Sequence, residues 1–479
     1  MSELAAQSLR RLQAGQRLLT WYGRAARDSE PQGTIVTAVF AAPGQPLAVL
    51  RGHAPTGANY PSLTASVPAA QIFERELWEQ TGLVPDGHPW LKPVRFEGER
   101  QSLMTEYPFF QVRGDAVHEV GVGPIHASVI EPGHFRFMCH GETVYHLEIQ
   151  LGYQHRGVEA LLLRRPAGSL TPLVESVCGD SVMAYAWAHC AAIESLSGLI
   201  AERAVQASRA IGLELERIAI HLATLNGLAT DIAFLQGGAT YGRLRTAIIN
   251  ASQRICGNRF GRGWMRPGQA KPLNEAQRRD LASTLVDFSR DVAEVNRLML
   301  SARSVKARFV GTGVLNLEAA QDLGLTGVVA RASGVMTDFR NELPGSVYGE
   351  WPLPLLMESA GDCWARMALR MREVDASVLW LLQVLEDPTL DMGKAPAADT
   401  LPPLTMRPRS LCVSLTEGTR GPVVQALETG KTGELLHYKV QDPSLVNWFG
   451  LALAVRDNGI SDFPICNKSF DLSYCGNDL

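Results

Sequence analysis

The chain has 479 residues, of which 46% are hydrophobic and 20% are charged, which is typical of a globular protein with two to four domains. Its formal net charge of −4 gives no electrostatic reason to expect nucleic acid as a partner. No window reaches the ~18 to 20 uncharged apolar residues of a membrane span, and no signal peptide is evident. We therefore expect a cytoplasmic chain.

The first hundred residues predict a small α/β domain, which we bound at residues 1–110. Met1 to Tyr22 is polar and helix-like. The apolar runs Gly33 to Phe40 and Pro46 to Leu50 then alternate with Gly and Pro, and Ala69 to Gln80 has a helical pattern.

The remaining residues, 111–479, predict a mainly helical body with a small β platform formed near its two ends, so that the fold class is α+β. Val144 to Leu151 is a strand pattern, and the stretch near 405 to 479 favours loops and short strands. Ala395 to Pro403 is predicted to be a loop. The long helical patterns are Val182 to Ala210, Leu213 to Phe234, Asn274 to Arg303 and Cys363 to Leu385.

Eight cysteines are scattered along the chain, and no two are separated by only two residues, so no CxxC pair exists. A disulfide framework is not expected in a cytosolic chain of this size. Most of these thiols are interpreted as small buried hydrophobes.

Several motifs carry a resemblance to known families. Glu74-Arg75-Glu76-Leu77, Gly82-Leu83 and Asp86-Gly87-His88-Pro89 resemble the signature of the 30-kDa-type subunit of complex I, although Trp90-Leu91-Lys92 replaces the arginines that usually follow. The body resembles the 49-kDa-type subunit of complex I and, more closely, the large subunit of membrane-bound nickel–iron hydrogenases of the formate hydrogenlyase type. Its matching motifs include Gly123-Pro124-Ile125-His126, Glu131-Pro132-Gly133-His134, His155-Arg156-Gly157-Val158-Glu159, Arg266-Pro267-Gly268, Arg331-Ala332-Ser333-Gly334, Asp442-Pro443-Ser444 and Asp462-Phe463-Pro464.

In the hydrogenases of this family, two CxxC pairs supply four thiolates to nickel and a second iron, since soft charged ligands stabilise both metals. The resemblance puts those four positions at Cys178, Ser181, Ser473 and Gly476, with Cys475 one residue out of register. We take Cys178, Ser181, Ser473 and Cys475 as candidate cofactor-binding residues. Because at most two thiolates could be recruited, the sequence predicts no nickel–iron centre and no metal ligand. The chain stops at Leu479 without the extension that hydrogenases cleave on maturation, which we interpret as a chain that is never matured.

The complex I branch of the family implies quinone as a second cofactor. There a GPxHxxxH histidine and a tyrosine contact the quinone head group, but the corresponding positions here are Ile130 and Gly179. His126 is retained, and Tyr185 or Tyr474 could supply a hydroxyl from elsewhere.

Glu131 falls where the hydrogenases keep a proton-relaying glutamate, so Glu131 and His126 are the candidate catalytic residues. A carboxyl beside an apolar cavity can pass protons at neutral pH. The alternative is a structural carboxylate paired with an arginine such as Arg136 or Arg156.

His126 and His134 also fit histidines that are hydrogen-bonded in a turn. The pair His155 and Arg156 is expected to position loops near a partner's cluster. Asp338, Arg340, Asp362 and Arg366 are interpreted as buried ion-pair scaffolding.

Two functions from different classes remain open. The chain is either an oxidoreductase subunit that lines a cavity beside a partner's 4Fe–4S cluster and couples electron transfer to ion translocation, or a non-catalytic scaffold or coupling subunit that only transmits conformational change to an ion-pumping membrane arm. The resemblance implies a small iron–sulfur subunit, a ferredoxin-like subunit and antiporter-like membrane subunits, which would hold the chain on the inner face of the cell membrane. NADH is expected on another subunit, since no GxGxxG follows a strand and no P-loop is present.

Overall fold

The computed structural model describes residues 1–27, 30–127, 130–343, 347–393 and 404–479. The predicted loop Ala395 to Pro403 therefore lies outside the described residues. The strands are β1 (Arg17–Ala25), β2 (Thr34–Ala41), β3 (Ala48–Ala54), β4 (Asn59–Pro61), β5 (Val84–Asp86), β6 (Val117–Val122), β7 (His134–His140), β8 (Thr143–Gln150), β9 (Met265–Arg266), β10 (Gln269–Ala270), β11 (Leu411–Gly418), β12 (Gly421–Thr429) and β13 (Leu435–Gln441).

The α-helices are α1 (Ser2–Gln13), α2 (Gln71–Thr81), α3 (Val158–Leu163), α4 (Thr171–Val174), α5 (Val182–Ser197), α6 (Arg203–Asp231), α7 (Leu235–Cys256), α8 (Glu275–Ser301), α9 (Arg303–Phe309), α10 (Leu317–Asp322), α11 (Gly327–Ala332), α12 (Phe339–Glu342), α13 (Val347–Glu350), α14 (Cys363–Glu386), α15 (Pro443–Ala454), α16 (Phe463–Phe470) and α17 (Tyr474–Asp478). No helix in these ranges is long and apolar enough to cross a membrane.

The N-terminal part is an antiparallel sheet in the order β1–β2–β3, with α1 and α2 packed against it. The sequence prediction of a helix-like Met1 to Tyr22 is wrong beyond Gln13, because the chain enters β1 at Arg17. The β-forming residues Thr20, Trp21 and Tyr22 are fully buried there, and this burial decides their conformation. The small α/β domain is otherwise as predicted, with β2 and α2 close to the expected positions.

The body has helices at its centre and strands near both of its ends, which confirms the α+β prediction. The strands form two separate antiparallel sheets, β6–β7–β8 and β11–β12–β13, rather than one continuous platform. Helix α15 packs on β8, and α5 packs on β11 and β12, so helices cover both sheets.

The central helices differ from the prediction at one boundary. The predicted break after Ala210 is wrong, because α6 continues without interruption from Arg203 to Asp231. The chain breaks at Gly198 instead, whose φ of 70° is the left-handed conformation that ends many helices. Asn274 and Gln277 form a capping box at the start of α8, where the predicted helical pattern begins.

The N-terminal part and the body meet through buried charges. Glu76 of α2 pairs with Arg95 and with Lys439 of β13, where the Lys439 Nζ to Glu76 Oε1 distance is 2.7 Å. Lys439 also lies 3.0 Å from Glu159. Leu445 of α15 belongs to the same apolar cluster as the N-terminal sheet. The two parts therefore share a core, and residues 111–116 between them form neither helix nor strand.

Candidate functional site

Two loops that are distant in sequence meet beside the N-terminus of α5. The loop that precedes α5 carries Cys178, and the loop that precedes α17 carries Ser473, whose Oγ lies 3.1 Å from Cys178 Sγ. Arg156 holds these loops together, since its guanidinium donates to the carbonyls of Val177 (2.8 Å) and Cys475 (3.1 Å). His155 adds a hydrogen bond from Nδ1 to Asp478 O at 2.8 Å. The geometry supports the expected loop-positioning role of His155 and Arg156.

Cys178 and Cys475 form a pair of free thiols around Ser473. Cys475 Sγ lies 3.5 Å from Ser473 Oγ, and Cys475 is half-buried whereas Cys178 is fully buried. The Cys178 thiol has two acceptors in reach, the Cys475 sulfur and Asp180 Oδ1 at 3.1 Å. The hydrogen bond between the two thiols, together with burial, raises the pKa of Cys178 well above its ordinary value. The same hydrogen bond lowers the pKa of Cys475.

The other two family ligand positions are closed by polar side chains. Arg420 donates to Ser181 Oγ at 3.2 Å and makes an ion pair with Asp180 at 2.7 Å. A Cβ at Gly476 would overlap Asp442 Oδ2 and would lie 2.9 Å from Ser473 Oγ. These residues do not fit a nickel–iron group, because hydroxyl and glycine positions cannot supply the soft thiolates that it needs.

Glu131 and His126 belong to the loop between β6 and β7, and His134 is the first residue of β7. Glu131 is exposed, and its Oε2 accepts from the backbone N–H of Cys475 at 3.4 Å, which puts the carboxylate beside the thiol pair. His126 Nε2 donates to Gly133 O (2.8 Å), and His134 Nδ1 donates to Gly123 O (3.1 Å). Both histidines therefore brace the loop, as the turn interpretation predicts.

The suggested pairing of Glu131 with Arg136 or Arg156 is wrong. Arg136 pairs with Glu119 instead, and Arg156 donates to backbone carbonyls. The physical reason is strand pairing, since β7 directs Arg136 across the sheet towards β6, where Glu119 lies.

Three acids near the site were missed by the sequence analysis, of which Asp442 is buried and Asp180 and Glu216 are half-buried. Asp442 accepts from Tyr185 Oη and from the backbone N–H of Ser444 at 2.7 Å, and burial raises its pKa. Burial alone would also raise the pKa of Asp180, but the Arg420 guanidinium lowers it. Glu216 of α6 accepts from the N–H of Met183 at 2.8 Å, and burial raises its pKa to about 8. The Asp-Pro-Ser helix-start signal at Asp442 was the one available hint.

A chain of buried charges leads away from the site. Arg370 lies 3.2 Å from His221 Nδ1, and His221 Nε2 lies 2.8 Å from Glu373 Oε2. Glu373 pairs with Arg331, which lies 3.3 Å from Glu417 and 3.7 Å from Asp338. These groups connect α6, α11, α14 and β11 through the interior of the body.

The predicted ion-pair scaffolding is half right. Asp338 and Arg340 form a buried pair at 2.6 Å. The prediction for Asp362 and Arg366 is wrong, because Asp362 caps α14 by accepting from Ala365 N at 2.7 Å. Arg366 instead donates to the carbonyls of Gly361 and Gly313 at 2.7 and 2.9 Å. Their positions at a helix start and beside two glycine turns make backbone groups the nearest partners.

Family models match two regions of the chain. Residues 6–108 match the 30 Kd subunit of respiratory-chain NADH dehydrogenase, and residues 231–408 match the 49 Kd subunit of the same enzyme.

Curated relatives match over most of the chain. Formate hydrogenlyase subunit 5 of Escherichia coli (strain K12) is 30% identical over 453 residues, which cover 88% of this chain and 77% of that protein. The carbon monoxide-induced hydrogenase of Rhodospirillum rubrum is 30% identical over 365 residues, covering 74% of this chain and 98% of that protein. A chain of the membrane-bound sulfane sulfur reductase, an archaeal respiratory membrane complex, has the same fold with a TM-score of 0.70 at 20% identity, covering 76% of this chain and 99% of that one.

Proposed function

The chain belongs to the family of formate hydrogenlyase-type hydrogenase large subunits and complex I 49-kDa-type subunits, joined to a 30-kDa-type part, and we propose that it is the catalytic-type subunit of a membrane-associated oxidoreductase complex. In this proposal a small partner subunit holds a 4Fe–4S cluster close to the two loops that carry Cys178 and Cys475. Antiporter-like membrane subunits and a ferredoxin-like subunit complete the complex. The chain then sits on the inner face of the cell membrane through these partners.

One observation carries the proposal. The loops around Cys178 and Ser473 meet at 3.1 Å although 295 residues separate them, which supports a site at the positions where the resemblance puts the family's redox chemistry. The neighbouring loop presents Ile125 to solvent with 83% of its surface exposed, next to the loop positions of Glu131 and His126. Ile130 of the same loop is 38% exposed, and two exposed aliphatic residues beside the site fit a partner subunit at this face.

The chemistry of the proposed site does not run through nickel. Ser181, Ser473 and Gly476 cannot provide thiolates, and Arg420 and Asp442 occupy the space around them. Quinone is one candidate electron acceptor, but His126 is engaged by Gly133 O and Tyr185 Oη by Asp442. The acceptor is therefore expected to contact Cys475 or Glu131 rather than the usual histidine and tyrosine.

Metal analysis of the complex purified through a tag on this chain tests the proposal. We expect iron and acid-labile sulfide in cluster amounts, because the partner holds a 4Fe–4S cluster, and no stoichiometric nickel. Purification of the chain without any iron–sulfur partner would contradict the proposed complex. Stoichiometric nickel, or infrared bands of iron-bound cyanide and carbonyl, would contradict the proposed chemistry.

A coupling role is the second candidate, and the buried charge chain favours it. A continuous series of hydrogen bonds and ion pairs from Arg370 through His221 and Glu373 to Arg331 can change its proton and charge distribution when the site changes. If the chain only couples, Cys475→Ser leaves electron transfer unchanged, whereas Glu373→Gln uncouples ion movement from it. If it is catalytic, Cys475→Ser reduces electron transfer itself.

A further inference from the structure

The thiols of Cys178 and Cys475 are the only two cysteine side chains around Ser473 in the described part of the chain, and they differ in accessibility. Cys475 is half-buried and faces the loop that carries Glu131, whereas Cys178 has no exposed surface. Ser473 Oγ lies 3.1 Å from one sulfur and 3.5 Å from the other, so the hydroxyl connects both. An accessible thiol next to a buried one is the arrangement that thiol–disulfide exchange requires, with one attacking and one resolving group.

We propose that Cys475 and Cys178 form a redox-active dithiol that reduces the S–S bond of a small disulfide. Cys475 attacks one sulfur of the substrate, its S–S bond breaks, and the first substrate thiolate leaves. Cys178 then attacks Cys475 Sγ, which releases the second substrate thiolate and leaves a Cys178–Cys475 disulfide. The two protons from the cysteines end on the two product thiols, so that atoms and electrons balance.

The surroundings of each sulfur suit these roles. The lowered pKa of Cys475 favours its thiolate, which is the form that attacks, and the Ser473 hydroxyl can donate to it. The raised pKa of Cys178 keeps that thiol protonated until the mixed disulfide on Cys475 has formed. Asp180 Oδ1, at 3.1 Å, then accepts a hydrogen bond from the resolving thiol. The Glu131 carboxylate, whose Oε2 accepts from the Cys475 backbone N–H at 3.4 Å, borders the attacking residue.

Return to the dithiol takes two electrons and two protons. This step rests on the proposed function, in which the partner's iron–sulfur cluster delivers electrons one at a time. The forward half-reaction needs neither partner nor cluster, and it can therefore be examined separately.

The chain contains a built-in control for accessibility. Cys363 and Cys466 also lie side by side, with Arg366 Nη2 at 3.5 Å from Cys363 Sγ. The hydrogen bond between the two thiols lowers the pKa of Cys363 to about 6 and raises the pKa of Cys466. Both are fully buried, so a substrate in solution cannot reach them in the folded chain. A reaction that depends on the site geometry should leave this second pair reduced.

The experiment uses the reduced full chain and a small neutral probe, bis(2-hydroxyethyl) disulfide, without any electron donor. After quenching with an alkylating agent, mass spectrometry locates disulfides and adducts. For the wild type we expect a Cys178–Cys475 disulfide, about two equivalents of released 2-mercaptoethanol per chain and no stable adduct. Cys178→Ser should stop at a mixed disulfide on Cys475, and Cys475→Ser should give neither product at this site.

Cys412→Ser removes another half-buried thiol, on β11, and is expected to behave as the wild type. A wild type that stops at an adduct on Cys475 with Cys178 still free would overturn the proposal. So would a Cys178→Ser chain that gives the wild-type product, or a probe that oxidises Cys363 and Cys466 equally fast. None of these outcomes depends on partner subunits, whereas the result of the metal analysis depends only on the partners that copurify with the chain. A failure of the dithiol proposal can therefore be distinguished from a failure of the proposed function.

Discussion

One substitution distinguishes a proton-relaying role of Glu131 from a merely structural role. Glu131→Gln keeps an oxygen that accepts from Cys475 N but cannot titrate. Because Glu131 is exposed and pairs with neither Arg136 nor Arg156, we expect an unchanged melting temperature. As a proton relay its loss should lower turnover of the assembled complex by ~10²-fold or more.

Glu119→Gln is the matched control, since Glu119 is an acid on the same sheet that pairs with Arg136. Normal turnover in an assembled Glu131→Gln complex would end the relay hypothesis. A fall in melting temperature with normal turnover would return Glu131 to the structural alternative.

Gly476 tests whether the missing ligand position is closed. In Gly476→Ala the added methyl meets Asp442 Oδ2 and Ser473 Oγ, so one of these hydrogen-bonded groups must move. We expect a loss of ~1–3 kcal/mol in unfolding free energy, the usual range for overpacking. Gly179→Ala in the opposite loop is the control, because nothing lies within 4 Å of its added Cβ. Equal effects of the two changes on chemical denaturation would show that the position is open.

At the scale of single residues, the sequence predicted which residues lie together at the site better than it predicted the contacts that surround them. The motif register correctly brought Cys178, Ser473 and Cys475 to one place, since motif order reflects the fold. It could not show that Arg420 reaches Ser181 or that Asp442 borders Gly476, because both contacts join segments distant in sequence. The roles of the candidate site residues remain predictions.

Glu216 links the helix α6 to the N-terminus of α5 and makes stability depend on pH. Burial raises the pKa of Glu216 to about 8, whereas an unfolded glutamate has a pKa of ~4.3. Between these values the folded chain keeps a proton that the unfolded chain has released, so the unfolding free energy falls as pH rises. The side-chain amide introduced by Glu216→Gln does not titrate, and its oxygen can still accept from Met183 N.

We therefore expect the melting temperature of Glu216→Gln to exceed that of the wild type by a margin that grows between about pH 5 and pH 8. The two chains should melt alike at the acid end, where the wild-type carboxyl is protonated in both states. A margin that does not vary with pH would contradict the raised pKa.

At the scale of elements, local signals were reliable where they were strong. The predicted helical patterns from Asn274 and Cys363 begin within one residue of α8 and α14, although Asp362, which caps α14, was interpreted as an ion-pair residue. The predicted boundary after Ala210 was wrong because α6 continues through Gly212, which allows Trp264 and Met183 to pack closely on the helix. The prediction of a helix over β1 was wrong because the polar Arg17 made the segment look exposed, although the residues that follow it are buried.

Lys439 is the test of the join between the two parts of the molecule. Lys439→Met leaves Glu76 and Glu159 with Arg95 alone in a buried setting. Removing one partner of a buried ionic cluster costs ~3–5 kcal/mol, and we expect that loss in chemical denaturation.

Arg279→Ala provides the control, because Arg279 pairs with Glu275 on the exposed face of α8 with 72% of its side chain exposed. Its loss should cost no more than ~0.5 kcal/mol. If Lys439→Met were equally mild, the two parts would be joined by apolar contacts rather than by the charges.

The buried charges between the two parts also bear on assembly. In two separately made pieces Glu76 would keep Arg95 and Lys439 would keep Glu159, but the buried ion pair between Glu76 and Lys439 would form only when the pieces met. The exposed connection at residues 111–116 makes their meeting intramolecular, with an effective concentration in the ~mM range typical of short flexible tethers. It also fixes their ratio at one to one regardless of expression level. Cleavage of this tether after folding should therefore leave the two pieces associated, while pieces expressed apart should assemble slowly and depend on their concentration.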